Sequence, residues 1–326
     1  MKALVYEGVE TLAMRDRPMP QPGPDEVLMR VAAAGICGSD MHAYLGHDAR
    51  RPAPLILGHE AAGTVAGGAM DGHRVTVNPL VTCGLCPACK AGRENLCPHR
   101  QIISMQPREG AFAEYVAIPE RNLVTVPDDV PLDKAALTEP LAVSWHAARL
   151  ALAALHPDVT PRALVLGGGA IGLAAALIFN AKGVEDVEIV EPNINRTARL
   201  RAIGQTVVET ASGEWPVVVD AVGYAVTRAT ASTHVMPGGV IAHVGLGEED
   251  TSMLDIRRLT LQEVTFIGTY TYTNADFRDT AQAIFDGTLG PLDWIEHRPL
   301  SDGPRAFDDL RYHRVSSPKI VLSPGS

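Results

Sequence analysis

The amino-acid sequence predicts an α/β protein of two domains, one mostly β and one a doubly wound parallel sheet covered by helices. Three observations carry this. At 326 residues the chain exceeds the usual domain of about 100–200 residues, so two cores are expected. The texture changes near Pro131, from Gly- and Pro-punctuated short β runs to apolar residues at helical spacing. Beyond that point strands and helices alternate, and the first of these strands ends in a run of glycines that opens a helix.

Taken in order, KALVY, EVLMRVAAAG, GHRVTVNP, AEYVAIP and LVTVP read as strands closed by Pro and Gly turns. The segment from Pro131 to Leu155 follows, with Pro140 suited to the first turn of a long helix, and a domain boundary is expected near Leu141. Next come the strand RALVLGG, a helix from Ala170 to Lys182, DVEIVE, a helix through Arg196 to Ile203, and the strands VVVDAVG, GGVIAHVGL and VTFIGTY. The connection VVETASGEWPVVVD reads as lacking a helix. After about Thr271 the sequence predicts helices over Asp276–Phe285 and Arg305–Leu310 and a closing strand KIVLS that returns to the β domain. The expected division is therefore 1–142 with the tail 272–326, and 143–271 between them.

Composition narrows the function. Hydrophobic residues make up 46% and charged residues 20%, which excludes disorder and fibre. A formal charge of −10 without a basic run speaks against nucleic acid or an anionic membrane surface and favours a small-molecule partner. The start, MKALVYEGVE, has no secretory pattern, and a cytoplasmic location is expected. The uncharged stretch between Arg162 and Lys182 approaches the length of a membrane span, but its three consecutive glycines resolve it into strand, turn and helix.

Gly167, Gly169 and Gly172 form G-x-G-x-x-G between strand and helix, with Ile171 inside the motif. The first glycine permits the tight turn, the second lets a pyrophosphate approach the backbone, and the third lets the helix pack on the strand. Glu191 ends the next strand, where a carboxylate accepts hydrogen bonds from ribose hydroxyls and repels a 2′-phosphate. NAD is favoured over NADP, although Arg196 and Arg199 lie close enough in sequence to serve a phosphate.

Cys83, Cys86, Cys89 and Cys97 have the spacing C-x2-C-x2-C-x7-C, which lets four thiolates close round one tetrahedral ion. No position stays open for substrate, so this site is structural, with zinc preferred to an iron–sulfur centre. The fifth cysteine, Cys37 in GICGSDMH, precedes GHEAAG with His59 and Glu60. One thiolate and one imidazole are half of an open catalytic zinc site, and Glu60 and Glu139 are both candidates for the third ligand. Taken singly, Cys37 and His59 would read as ordinary packing residues.

Together GICGSDxH, GHExxG, the four-cysteine segment, TEPLAV and GGGAIG, in this order, resemble the zinc-dependent medium-chain dehydrogenase/reductase family, the alcohol and polyol dehydrogenases including the sorbitol dehydrogenase-like group. The resemblance runs from Lys2 to the last strand. It implies a GroES-like β catalytic domain interrupted by a Rossmann domain, with two zinc ions per subunit, one catalytic and one structural, and a dimer or tetramer paired through the VTFIGTY edge. It further implies that Cys37, His59 and a glutamate hold the catalytic zinc. Ser39 would hydrogen-bond the reacting alcohol, His42 would pass its proton to solvent, and Asp40 would support the metal site. The expected activity is reversible oxidation of a secondary alcohol or polyol to a ketone with NAD.

Some residues depart from the polyol pattern. Thr271 stands between Tyr270 and Tyr272 where polyol dehydrogenases commonly carry an Arg that anchors substrate hydroxyls, and the loop after GHE is short. Three rival readings fit the residues less well. A zinc-free quinone or enoyl reductase would not need Cys37, His59, Glu60 or the cysteine lobe. A non-catalytic sensor on the same scaffold would not need Ser39 and His42. A lyase or thiol-adduct enzyme would need a basic cluster that the sequence does not offer.

Overall fold

A computed structural model describes residues 1–247 and 254–325. The chain separates into two compact units, residues 1–139 with 273–326 and residues 140–272. The first boundary falls inside the first turn of the helix Thr138–Ala154.

The first unit is built on the ten-residue strand Glu26–Gly35. One edge of that strand pairs antiparallel with Glu60–Ala66 and the other is shared by Tyr115–Pro119 and Lys319–Ser323. The sheet continues through Arg74–Val77 to Leu123–Thr125 on one side and through Ile295–Pro299 on the other. A separate sheet joins Thr11–Asp16, Lys2–Gly8 and Leu55–Ile56. Leu4, Met29, Ile56, Phe112 and Phe307 are buried in a shared core, and each such side chain contributes about 1.5–3 kcal/mol by leaving water. Gly63 is required there, because a Cβ would lie 2.1 Å from the Arg30 carbonyl oxygen.

The second unit holds a six-stranded parallel sheet in the order Val207–Val208, Val187–Val190, Ala163–Leu166, Trp215–Asp220, Val235–His243 and Thr265–Gly268. Numbered along the chain within this sheet, the order is 3-2-1-4-5-6. Direction reverses at Ala163–Leu166, the switch point at which such sheets bind ligands outside the carboxyl ends of their strands. Ala163–Leu166 and Trp215–Asp220 are buried throughout, as parallel strands covered on both faces must be. The helix Ala170–Ala181 follows the first strand and Ile194–Ala202 the second, while Val207–Val208 leads to Trp215 without a helix.

Several elements escape the sequence reading, among them the strand Glu60–Ala66 and the helices Ala225–His234 and Ile256–Leu261. The helix Gly38–Tyr44 and the strands Thr11–Asp16 and Ile295–Pro299 escape it too, being short or edge-placed and without a clear hydrophobic period. Helix ends shift by one or two residues: Asn274–Phe285 and Gly303–Arg311 are the observed spans in the tail. Among the described residues no helix is long and apolar enough to cross a membrane.

Candidate metal centres and dinucleotide cradle

Cys37 is the N-cap of the helix Gly38–Tyr44, and the Asp40 carboxylate accepts its backbone N–H at 3.0 Å. Asp40 has no exposed surface; its other oxygen accepts from the Gly58 N–H at 3.2 Å, tying the helix to the segment that ends in His59 and Glu60. Gly58 itself has φ +90. That left-handed turn delivers His59 and Glu60 at the start of the strand Glu60–Ala66. Strand register sets Gly35 opposite Glu60, and a Cβ on Gly35 would lie 2.1 Å from Glu60 Oε2. The glycine therefore makes room for the carboxylate.

One ligand atom from each of Cys37, His59 and Glu60 lies within 4.8 Å of the others. Glu60 is fully buried; Oε1 accepts from Lys319 Nζ at 2.6 Å, and Oε2 has no hydrogen-bond partner. A buried, unsatisfied carboxylate oxygen is costly unless a cation occupies the space beside it. Sulfur, nitrogen and oxygen donors in one cluster are a zinc set, so the residues fit the metal. Burial alone would lower the pKa of His59, but the Asp40 carboxylate and the Cys37 thiol outweigh it and hold the pKa well above its ordinary value. The same negative surroundings favour a divalent cation. Lys319 is only 4% exposed, and it also donates to the Ile36 carbonyl at 2.9 Å. Burial by itself would lower its pKa; Glu60 and Cys37 raise it, so Lys319 stays an ammonium.

Ser39 Oγ lies 3.5 Å from His59 Nε2, and Ser104 Oγ lies 3.3 Å from His59 Nδ1, which also faces Asp40 Oδ1 at 3.4 Å. His42 follows Ser39 by three residues on the same short helix, half-buried. Glu139 is buried in the first turn of Thr138–Ala154 but stands outside the group formed by Cys37, His59 and Glu60. Its charge is felt at Lys319. The sequence reading missed Lys319, Ser104 and the buried Arg51. Each lies far along the chain from the ligand motifs or inside a polar run that reads as a solvated loop.

The second cluster is local. Cys86 Sγ and Cys97 Sγ each lie 3.5 Å from a neighbouring sulfur, Cys89 and Cys83 respectively, and Cys83 and Cys89 are 4.0 Å apart. The Cys86 N–H donates to Cys83 Sγ at 3.4 Å and the Cys89 N–H to Cys86 Sγ at 3.5 Å. Backbone N–H groups of Leu85 and Cys86 draw the Cys83 thiol down to about 6. Burial and the neighbouring Cys86 thiol push Cys89 up to about 12. Four sulfurs at these separations match a closed tetrahedral zinc site.

In the second unit Gly167 has φ +95, and its N–H donates to the Val190 carbonyl at 2.9 Å. A Cβ on Gly172 would fall 1.8 Å from the Gly167 carbonyl oxygen, so helix and turn meet only because residue 172 is glycine. Gly169 caps the helix Ala170–Ala181 and faces open space, with nothing within 4 Å of an added Cβ. That opening at a helix N-terminus is where a pyrophosphate fits. The Ile171 carbonyl, in the first helical turn, accepts from Ser144 Oγ at 2.8 Å. Glu191 is 4% exposed and accepts from the Gly168 N–H at 3.0 Å, the Asn193 N–H at 2.9 Å and Arg196 at 2.9 Å. The carboxylate is thus already held in a fixed orientation beside the glycine turn.

Two family models match the chain: the alcohol dehydrogenase GroES-like domain over residues 23–128 and the zinc-binding dehydrogenase domain over residues 170–286. The chain is 33% identical to a sorbitol dehydrogenase of Bacillus subtilis, with 84% of this chain and 83% of the relative covered. It is 33% identical to an L-threonine 3-dehydrogenase of Mesorhizobium japonicum, with 99% and 98% covered. A solved Escherichia coli oxidoreductase/dehydrogenase of unknown specificity superposes with a TM-score of 0.90 at 29% identity, covering 99% of this chain and 98% of the other.

Proposed function

The chain belongs to the zinc-dependent medium-chain alcohol and polyol dehydrogenase family, and from that premise we propose that it interconverts a secondary alcohol or polyol and the ketone, using NAD in preference to NADP. The observation that carries this reading is the cluster of half-buried Cys37 with buried His59 and Glu60, one carboxylate oxygen of which is unsatisfied. When bound, zinc polarises the alcohol oxygen and the nicotinamide accepts the hydride.

The protein's own residues do the remainder. Cys37, His59 and Glu60 hold the catalytic zinc, and Cys83, Cys86, Cys89 and Cys97 hold the structural one. Glu139, buried but outside the tight group, is the alternative oxygen ligand. Asp40 holds the loop and the His59 ring in place. Ser39 takes the hydroxyl proton at Oγ, and His42, half-exposed three residues on, passes it to solvent. Gly167, Gly169, Gly172 and Ile171 form the turn that receives the pyrophosphate. Glu191 binds the ribose hydroxyls, and its negative charge supports NAD even though Arg196 partly neutralises it. A homo-oligomer forms through the edge strand Thr265–Gly268, where Phe266 is exposed. Free cysteines at metal spacing suit the cytoplasm.

The test is nicotinamide reduction by zinc-replete protein on linear polyols, sugar acids, 3-hydroxy amino acids and simple secondary alcohols, with NAD and NADP in parallel. Turnover of one of these classes, faster with NAD, is expected. Silence across the panel with cofactor binding intact would refute the reading.

A further inference from the structure

Two consecutive arginines follow the short helix that carries Ser39, and they differ sharply. The Arg50 side chain is 61% exposed, whereas that of Arg51 is 1% exposed. An arginine that leaves water completely must satisfy five N–H donors, since it has no acceptor of its own. Arg51 does so within one small volume. Its Nε donates to the Ser104 carbonyl at 2.9 Å; one terminal nitrogen donates to the Ser39 carbonyl at 3.0 Å and to Asp48 at 2.9 Å. The other terminal nitrogen points to two hydroxyls, Ser39 Oγ at 3.4 Å and Ser104 Oγ at 3.5 Å.

The three short bonds fix the guanidinium, and the two longer ones set the hydroxyls that flank His59. Because Arg51 only donates, both hydroxyl oxygens accept from it, each committing one lone pair. For Ser39 this leaves one lone pair to receive the proton of an alcohol and the hydroxyl's own proton to move onward toward His42. For Ser104 it turns the remaining polar capacity toward His59 Nδ1, 3.3 Å away.

We propose that Arg51 is a positioning residue that orients the Ser39 hydroxyl for proton transfer and, through Ser104, the His59 ring. Arg51 does not touch substrate; it acts through the two serines. The proposal rests on the reading of Ser39 as proton acceptor given above.

The experiment is a double-mutant cycle with Arg51→Met and Ser39→Ala, with zinc content and melting temperature measured on every variant. Arg51→Met is expected to lower kcat about 10–100-fold, the usual cost of removing an outer partner of a metal site. In the Ser39→Ala background the same change is expected to cost less than about threefold, because the hydroxyl through which it acts on proton transfer is gone and only the Ser104 contact remains. In cobalt-substituted protein, Arg51→Met and Ser104→Ala are each expected to shift the visible absorption bands as His59 turns. Arg51→Met removes one of the two arginines that share the buried Asp48, leaving it Arg50 at 2.8 Å, and Asp48→Asn/Arg51→Met provides a charge-balanced variant should the single one fold poorly, with the same expectations. Equal losses in the two backgrounds overturn the proposal, and so does a cobalt spectrum that the substitution leaves unmoved. A Ser39→Ala enzyme as fast as the parent would instead remove the relay reading, and the proposal with it.

Discussion

The four thiols of the cysteine lobe come from 15 consecutive residues, Cys83 to Cys97, and their sulfurs already lie within 4.8 Å of one another along a chain that needs only local turns. Cys37, His59 and Glu60 are assembled differently. A helix cap, a left-handed glycine and a strand register each deliver one donor, and the charge balance depends on Lys319, which lies 259 positions from Glu60. The local site is closed and saturated with sulfur; the long-range site mixes donors and leaves a carboxylate oxygen unsatisfied. A cluster that only has to hold a loop can be written into one segment. A cluster that must bind, release and protonate a substrate needs groups of different charge, and the chain brings those from several elements.

The largest test of this contrast removes one ligand from each site. His59→Ala is expected to cost more than the roughly 100-fold typical of an outer partner, with one zinc per subunit retained and the melting curve close to the parent's. Metal analysis beside turnover checks it; loss of both ions would show that the two sites are not independent. Cys97→Ser should act in the opposite sense, mainly on stability. The buried Cys97 sulfur closes the lobe, and its loss is expected to lower stability by about 3 kcal/mol or more, read as a fall in melting temperature of about 2–4 °C per kcal/mol.

Glu191→Ser sharpens the comparison from the cofactor side, where a third local motif is completed by a residue on the next strand. Losing a charged hydrogen bond to ribose hydroxyls is expected to raise KM for NAD about tenfold and to narrow the preference over NADP, since Arg196 would then be free of its carboxylate. An unchanged NAD/NADP ratio would deny Glu191 its role. The smallest effect is expected from Asp220→Asn. Asp220 is fully buried; burial would raise its pKa, but His243 and the N–H groups of Gly223 and Val222 overcome this and hold it below the usual carboxylate value. A depressed folded pKa contributes stability that is present above the unfolded pKa of about 3.9 and lost as pH falls through the folded value. The variant should therefore be less stable than the parent by about 1–3 kcal/mol at neutral pH. The gap should close below about pH 4 in urea titrations.

The glycine turn at 167–172, the four-cysteine segment and the alternation of strand and helix were legible because each is encoded by neighbours in sequence: close backbone approach, metal-ligand spacing and hydrophobic period act over a few residues. GICGSDxH and GHExxG were legible as motifs, yet which glutamate lies beside Cys37 and His59 was not, because that depends on pairing between distant strands. Strand register put Glu60 there, and Gly35 left it room. Lys319 opens the closing strand KIVLS and Arg51 belongs to no motif; only folding buried them.

By itself, then, the sequence determined the class of fold and the kinds of donor available, since these follow from composition, period and spacing, and its motifs carried the resemblance to the family. Tertiary structure alone decided which donors meet and which cations neutralise them. Burial, and the Coulomb and hydrogen-bond terms it strengthens, are set by residues hundreds of positions apart, as Lys319 and Glu60 are.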